Sequence, residues 1–275
     1  MPHNLRDHFL ILNWNARAAD VVRELHHPII REREGIFVVV VLTDDESLEI
    51  RRFKEAGSGR DAAFEDLYIS IGDPTDERAL RNANASDTRS VLILANDQGD
   101  ERTIRSVMML RKIARDVGRE DLHVVAELSD PANSTVLTEL AKDFPGLLEQ
   151  ISGVQIRTLL LSQAALSAGI VGFYSDLLQV SAESNEMYTL DIPKGAVGMP
   201  FREYGALVLQ SDMKEPVVPV GLQRMVHGRS TMLTNPRRGE PGWIIEEGDH
   251  LLVMAYLPPL PGVLPEPQAA ELVQA

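Results

Sequence analysis

The stretch Leu67-Tyr68-Ile69-Ser70-Ile71-Gly72-Asp73-Pro74-Thr75-Asp76-Glu77-Arg78-Ala79-Leu80 decides the fold. Five residues of apolar, strand-like character run into a glycine, which lets the backbone turn tightly. Asp73 then stands at the carboxyl end of the strand, where open parallel sheets place their ligands. Pro74 suits an early helical position, and Asp76 and Glu77 favour the positive start of a helix. The stretch reads as a strand-to-helix joint, with the helix expected over residues 75–83.

The same pattern repeats on either side. Strands are expected at residues 8–12, 37–42, 90–95 and 122–128, with a short one near 147–149. Helices are expected at 16–25, 46–56, 102–117 and 133–141. The second strand is apolar at every position, as a strand buried on both faces must be. Repeated strand–helix units with short connections imply a parallel sheet covered on both sides. The fold class is therefore α/β: a doubly wound, Rossmann-like lobe over residues 1–151.

After Ile151 the pattern changes. Residues 154–169 read as a helix with apolar residues on more than one face, which a surface helix does not show. A break is expected at 169–174 and a short helical piece at 175–180, so that 152–180 forms a helix–turn–helix crossover suited to dimerisation. Residues 181–257 alternate short strands and turns, a smaller α+β lobe. The last segment, 258–275, is proline-rich and expected to be extended and mobile.

The net charge of −14 sets the choice of partners: such a surface repels phosphate backbones and anionic lipid heads and attracts cations. No nucleic-acid partner is expected. With 0 cysteines, disulfides, thiolate metal sites and cysteine nucleophiles are excluded, which fits a reducing compartment. The longest apolar runs are too short to cross a bilayer as helices, so no direct membrane insertion is expected.

Chemistry-bearing residues gather at the strand ends. The first strand-to-helix turn is where a dinucleotide-binding domain carries G-x-G-x-x-G; here it reads Asn13-Trp14-Asn15-Ala16-Arg17-Ala18. Asparagine tolerates the left-handed turn, but Asn15 puts a side chain where a pyrophosphate would approach. Asn13, Trp14 and Asn15 are thus either part of a cofactor site or a loop closed by its own hydrogen bonds. Asp44 and Asp73 are placed either to hold a ribose or to cap the helices that follow them. Asp97, Asp100, Glu101, Glu127 and Asp130 cluster at two neighbouring strand ends. They could offer oxygen ligands to a hard cation such as calcium, or simply start helices. The sequence carries no H-E-x-x-H, G-x-S-x-G or P-loop pattern, so no enzyme activity is expected.

The order of a strand, Asn13-Trp14-Asn15, a buried second strand with Asp44, Gly72-Asp73-Pro74-Thr75 and Val124-Val125-Ala126-Glu127-Leu128-Ser129-Asp130 resembles the RCK family, regulators of potassium conductance. The Asn-Trp-Asn turn and the Glu-Leu-Ser-Asp segment are most similar to the Castor and Pollux type of ion channel and its bacterial relatives. The resemblance implies cytosolic dimers assembling into a ring of eight beneath a membrane pore domain of the same or another chain. It implies calcium or an adenine nucleotide such as NAD as ligand, whose binding moves the pore. Glu127 matches one acidic position of a calcium-activated pattern, while Ser129 stands where a second acid would be. Two other readings are a separate nucleotide-binding subunit of a Trk- or Ktr-type transporter and an NAD(P)-dependent oxidoreductase. Both need the missing glycines.

Overall fold

A computed structural model describes residues 5–27, 30, 35, 38–44, 50, 66–96, 99–181, 184–214, 216–226 and 229–267. The expected helix at 46–56 and Asp97 lie essentially outside them. Two compact units emerge, Met1–Ala168 and Gly169–Ala275.

The first unit is built on strands β1 (Phe9–Leu12), β2 (Val39–Thr43), β3 (Leu67–Ile71), β4 (Ser90–Ile93), β5 (His123–Leu128) and β6 (Leu147–Ser152). They pair in the order β3-β2-β1-β4-β5-β6, every pair parallel. β2 is buried along its whole length, as its unbroken apolar run requires. Helices α1 (Ala18–Leu25), α2 (Glu77–Asn82), α3 (Asp100–Asp116) and α4 (Ser134–Lys142) cover the sheet. Leu10, Leu12, Val40 and Leu42 point to one face, where they meet Leu80 of α2, Val107 and Leu110 of α3, and Leu137. Ile11, Val39 and Val41 point to the other and meet Ala18 and Val22 of α1. Each such side chain gains about 1.5–3 kcal/mol by leaving water. Helix α5 (Gly153–Leu166) follows β6 directly; its N-cap Ser152 accepts a hydrogen bond from the Gln155 N–H.

The second unit holds α6 (Ile170–Leu178), β7 (Glu186–Asp191), α7 (Phe201–Gln210), β8 (Val218–Val226), β9 (Arg229–Thr234) and β10 (His250–Ala255). Its sheet runs β7-β10-β8-β9, antiparallel throughout. Phe201, Tyr204 and Val208 of α7 pack on Leu222, Leu251 and Val253.

Three expectations need correcting. The break at 169–174 is shorter and falls earlier: only residues 167–169 separate the two helices, Gly169 takes a left-handed φ of +87° and α6 starts at Ile170, with Gly172 tolerated inside it. The helix after Gly72 starts at Glu77 rather than at 75, because Asp76 caps it by accepting from the Ala79 N–H. The proline-rich segment is not loose up to residue 267: Leu264 is buried in the small-lobe core and the Tyr204 hydroxyl donates to the Pro265 carbonyl at 3.2 Å.

Candidate functional site at the carboxyl rim of the sheet

The carboxyl ends of β1 and β4 mark the topological switch point, since the helices that follow them lie on opposite faces. This is the place where such sheets open a ligand crevice. Here the two loops are stitched together. Asn13 has a φ of +69°, the left-handed turn that asparagine tolerates. Its Nδ2 donates to the Leu94 carbonyl at 2.8 Å, and Asn15 Nδ2 donates to the Ala95 carbonyl at 2.8 Å. Asn15 Oδ1 also accepts from the Arg17 N–H at 2.9 Å. Trp14 packs half-buried against the core under α1. A pyrophosphate is held by free backbone N–H groups of such a turn; here the two asparagine amides take carbonyls of the β4 loop, and the Arg17 N–H is taken by Asn15. The two amides thus tie the first turn to the β4 loop, and Asn15 keeps a side chain where a pyrophosphate would approach.

Glu127, at the end of β5, crosses the same opening. Its buried carboxylate accepts from the Ala95 N–H at 2.9 Å and pairs with Arg17 Nη2 at 2.5 Å. Gly153, the first residue of α5, leaves room beside this pair: a Cβ there would stand 3.5 Å from Arg17 Nη1 and 3.9 Å from Glu127 Oε1. The ion pair thus links the β1 loop to β5, with the start of α5 beside it.

A second bridge spans the other half of the rim. Arg102, in the first turn of α3, reaches Asp44 at 2.7 Å and Asp73 at 3.2 Å. Asp44 and Asp73 do face one crevice, as a ribose site would require, but a guanidinium already stands between them. Asp73 also accepts from the N–H and hydroxyl of Thr75, both at 2.8 Å. Burial pushes the Asp73 carboxyl up; the bonds from Thr75 and the Arg102 charge outweigh it and hold the group below the usual carboxylate range.

Of the acids named for a cation, Asp97 lies outside the described residues, and the other four, Asp100, Glu101, Glu127 and Asp130, do not form one centre. Asp100 is buried and spent: its oxygens accept from the N–H groups of Ser129 at 2.7 Å and Asp130 at 2.9 Å and from Asn133 Nδ2 at 2.8 Å. Burial raises its proton affinity, and these three donors more than reverse that, so its pKa is lowered. Asp130 caps the following turn by accepting from the Ala132 N–H. Glu101 is exposed on α3, and Glu127 is held by Arg17. Among the described residues no group of three or more His, Cys, Asp or Glu could hold a metal ion. Sequence reasoning missed Arg17 and Arg102, the two cations that organise the rim. Their only sequence signal is position, directly after the strand ends that carry the acids.

Comparison with known proteins fits this architecture. Residues 29–144 match the TrkA-N domain. The probable ion channel SYM8 of Pisum sativum is 27% identical over 94% of the chain, and the ion channel POLLUX of Lotus japonicus 26% over 95%. The chain spans about 28% and 27% of the length of these two relatives. The calcium-gated potassium channel TvoK of Thermoplasma volcanium is 22% identical over 63% of the chain and 44% of its own length. The human SLO3 gating ring superimposes with a TM-score of 0.65 at 14% identity, covering 92% of the chain and 45% of that structure. At that identity it speaks for the fold alone.

Proposed function

Because the chain carries a TrkA-N/RCK-type domain and has ion channels of the POLLUX type among its relatives, we propose that it is the ligand-sensing regulatory part of a cation channel. The observation that carries the reading is the rim: Arg17–Glu127 ties the β1 loop to β5, Arg102 ties the start of α3 to Asp44 and Asp73 after β2 and β3, and the first residue of α5 lies beside the former pair. A ligand that competes for these charges changes the spacing of the loops, and an effector acts only through such differential binding. The protein works as a homo-oligomer, with α5 and α6 as the pairing surface, in the cytosol beneath a pore domain. Calcium is the ligand of first choice, since the chain is acidic and a calcium-gated channel is among the relatives. An adenine nucleotide is second, disfavoured by the stitched asparagine turn.

Thermal unfolding with calcium, magnesium, NAD and ADP, together with light scattering after size exclusion, tests the proposal. A ligand at a hundred times its Kd adds about 2.7 kcal/mol to stability. The expected result is a rise in Tm with calcium and an oligomer larger than the monomer. A monomer at every concentration whose Tm none of the four ligands moves would overturn the regulatory reading. A shift with NAD or ADP alone would keep that reading and reverse the choice of ligand.

A further inference from the structure

The amino edge of the sheet, opposite the rim, holds a buried histidine. His8 directly precedes β1 and has no exposed surface. Its Nε2 lies 3.1 Å from the Ala83 carbonyl, an acceptor, so this nitrogen carries the proton and donates. The other nitrogen, Nδ1, is buried and meets no hydrogen-bond partner among the described residues. The backbone around it is a knot. The Asp7 N–H donates to the Asp87 carbonyl and the Arg89 N–H donates to the His8 carbonyl, both at 2.8 Å. Arg89 also grips the Asp7 carboxylate with two hydrogen bonds, at 3.1 and 2.6 Å. Residues 5–8 are thereby sealed against residues 83–89.

We propose that His8 is an acid-released anchor: neutral, it locks the segment leading into β1 onto the 83–89 turn, and protonated, it lets that segment go. A proton on Nδ1 would place a new N–H and a full charge in a space that offers no acceptor, and a buried unsatisfied donor is costly. The charges around the ring are Asp7 on its own segment, Asp87 on the 3-10 turn Ala85–Asp87, and Arg119 from the loop before β5. Burial lowers the imidazole's proton affinity most; the Ala83 carbonyl and the two acids pull the other way, Arg119 adds to the burial, and the net direction is down from 6.5. A depressed folded pKa means that the unfolded segment binds the proton better. The anchor therefore holds fully above about pH 6.5 and is lost as pH falls through the folded pKa. The Asp7 carboxyl is held below the usual carboxylate range by Arg89, so it titrates below this window. The inference stands whether or not the chain regulates a channel.

Amide hydrogen exchange of residues 5–8 and 83–89 at pH 7.5 and 5.5, corrected for intrinsic rates, tests it. In the wild type, opening of both segments should rise at the lower pH, by up to about tenfold, because pH 5.5 lies one unit below the unfolded value. His8→Gln keeps a donor for Ala83 and has nothing to titrate, so its exchange should not respond. Equal acid response in wild type and variant, or none in the wild type, would overturn the proposal. An NMR titration of the His8 ring in the wild type gives a reading that does not depend on the variant folding. A folded midpoint below 6.5 supports the anchor, and one at or above 6.5 refutes it.

Discussion

Arg17 is half-exposed, yet it is the partner of a carboxylate that is almost wholly buried. The asymmetry sets what each substitution costs. Removing the arginine leaves Glu127 with one donor, the Ala95 N–H. Arg17→Ala should lower stability by about 1–2 kcal/mol, the cost of an under-satisfied buried acceptor discounted for the exposed partner. Adding Glu127→Gln to it should recover part of the loss, because breaking a pair costs more than deleting both charges. Urea unfolding of the two variants measures this; a double variant no better than Arg17→Ala would contradict it. Asp100 gives a pH signature of its own. Its folded pKa is lowered, so its contribution is present above the unfolded value of about 3.8 and lost as pH falls through the folded one. Asp100→Asn turns an N–H toward a backbone N–H of Ser129 or Asp130. It should cost about 1–3 kcal/mol at pH 7 and make unfolding less acid-dependent near pH 3. A variant as stable as the wild type at pH 7 would show that the clamp on the β5–α4 turn does not depend on the charge.

At the scale of elements, two glycines allow backbones to approach more closely than any side chain permits. Gly146 enters β6 with a φ of +104°, and a Cβ there would lie 2.3 Å from the Leu122 carbonyl oxygen. In β8 a Cβ on Gly221 would lie 2.2 Å from the Leu233 carbonyl oxygen of β9. Gly146→Ala and Gly221→Ala should each destabilise by about 2 kcal/mol or more, the first in the parallel sheet and the second in the small lobe. Exchange protection resolved by unit locates the loss. Uniform protection across both units in either variant would contradict the prediction. The parallel elements were legible because β2 and β3 carry dense local signals: an unbroken apolar run, and a strand ending in glycine. Helix α6 was not, because Gly169 and Gly172 look alike in sequence. Only Gly169 adopts the left-handed φ that ends a helix turn, and Gly172 sits in open space where its missing Cβ costs little. The rim was half legible. Asn13 announces a left-handed turn and Asn15 a local bond to the Arg17 N–H, but nothing in their own stretch points to the β4 loop, some 80 residues on, that their amides reach. Arg102 between Asp44 and Asp73 unites three separate strand–helix joints, and no local pattern encodes a contact of that range.

At the scale of the whole molecule, α5 poses the question that the sheet does not. None of its residues is buried, although its sequence is rich in leucine; Leu159 is 58% exposed and Leu161 65%. The neighbouring α6 likewise has no buried residue and shows Val171, Phe173 and Leu178. Exposed apolar surface of this kind, on each helix taken by itself, marks an interaction site. With charge of −14 elsewhere on the chain, two copies can approach closely only through surface that carries little charge, and residues 158–174 contain no Asp, Glu, Lys or Arg. The helices should therefore meet their counterparts in a second copy. Leu159→Glu with Leu161→Glu puts two carboxylates into that surface without touching the core of either unit. Light scattering should then report a monomer under conditions where the wild type is expected to be an oligomer. Circular dichroism and the Tm of the dilute wild-type monomer should be retained. An oligomer of unchanged mass in the double variant would mean that the copies associate elsewhere. A loss of fold would mean that the two leucines serve their own chain. If the variant is monomeric and folded, the helix that joins the copies is the one whose first residue, Gly153, lies beside the Arg17–Glu127 pair, and the rim has a direct mechanical route to its neighbour.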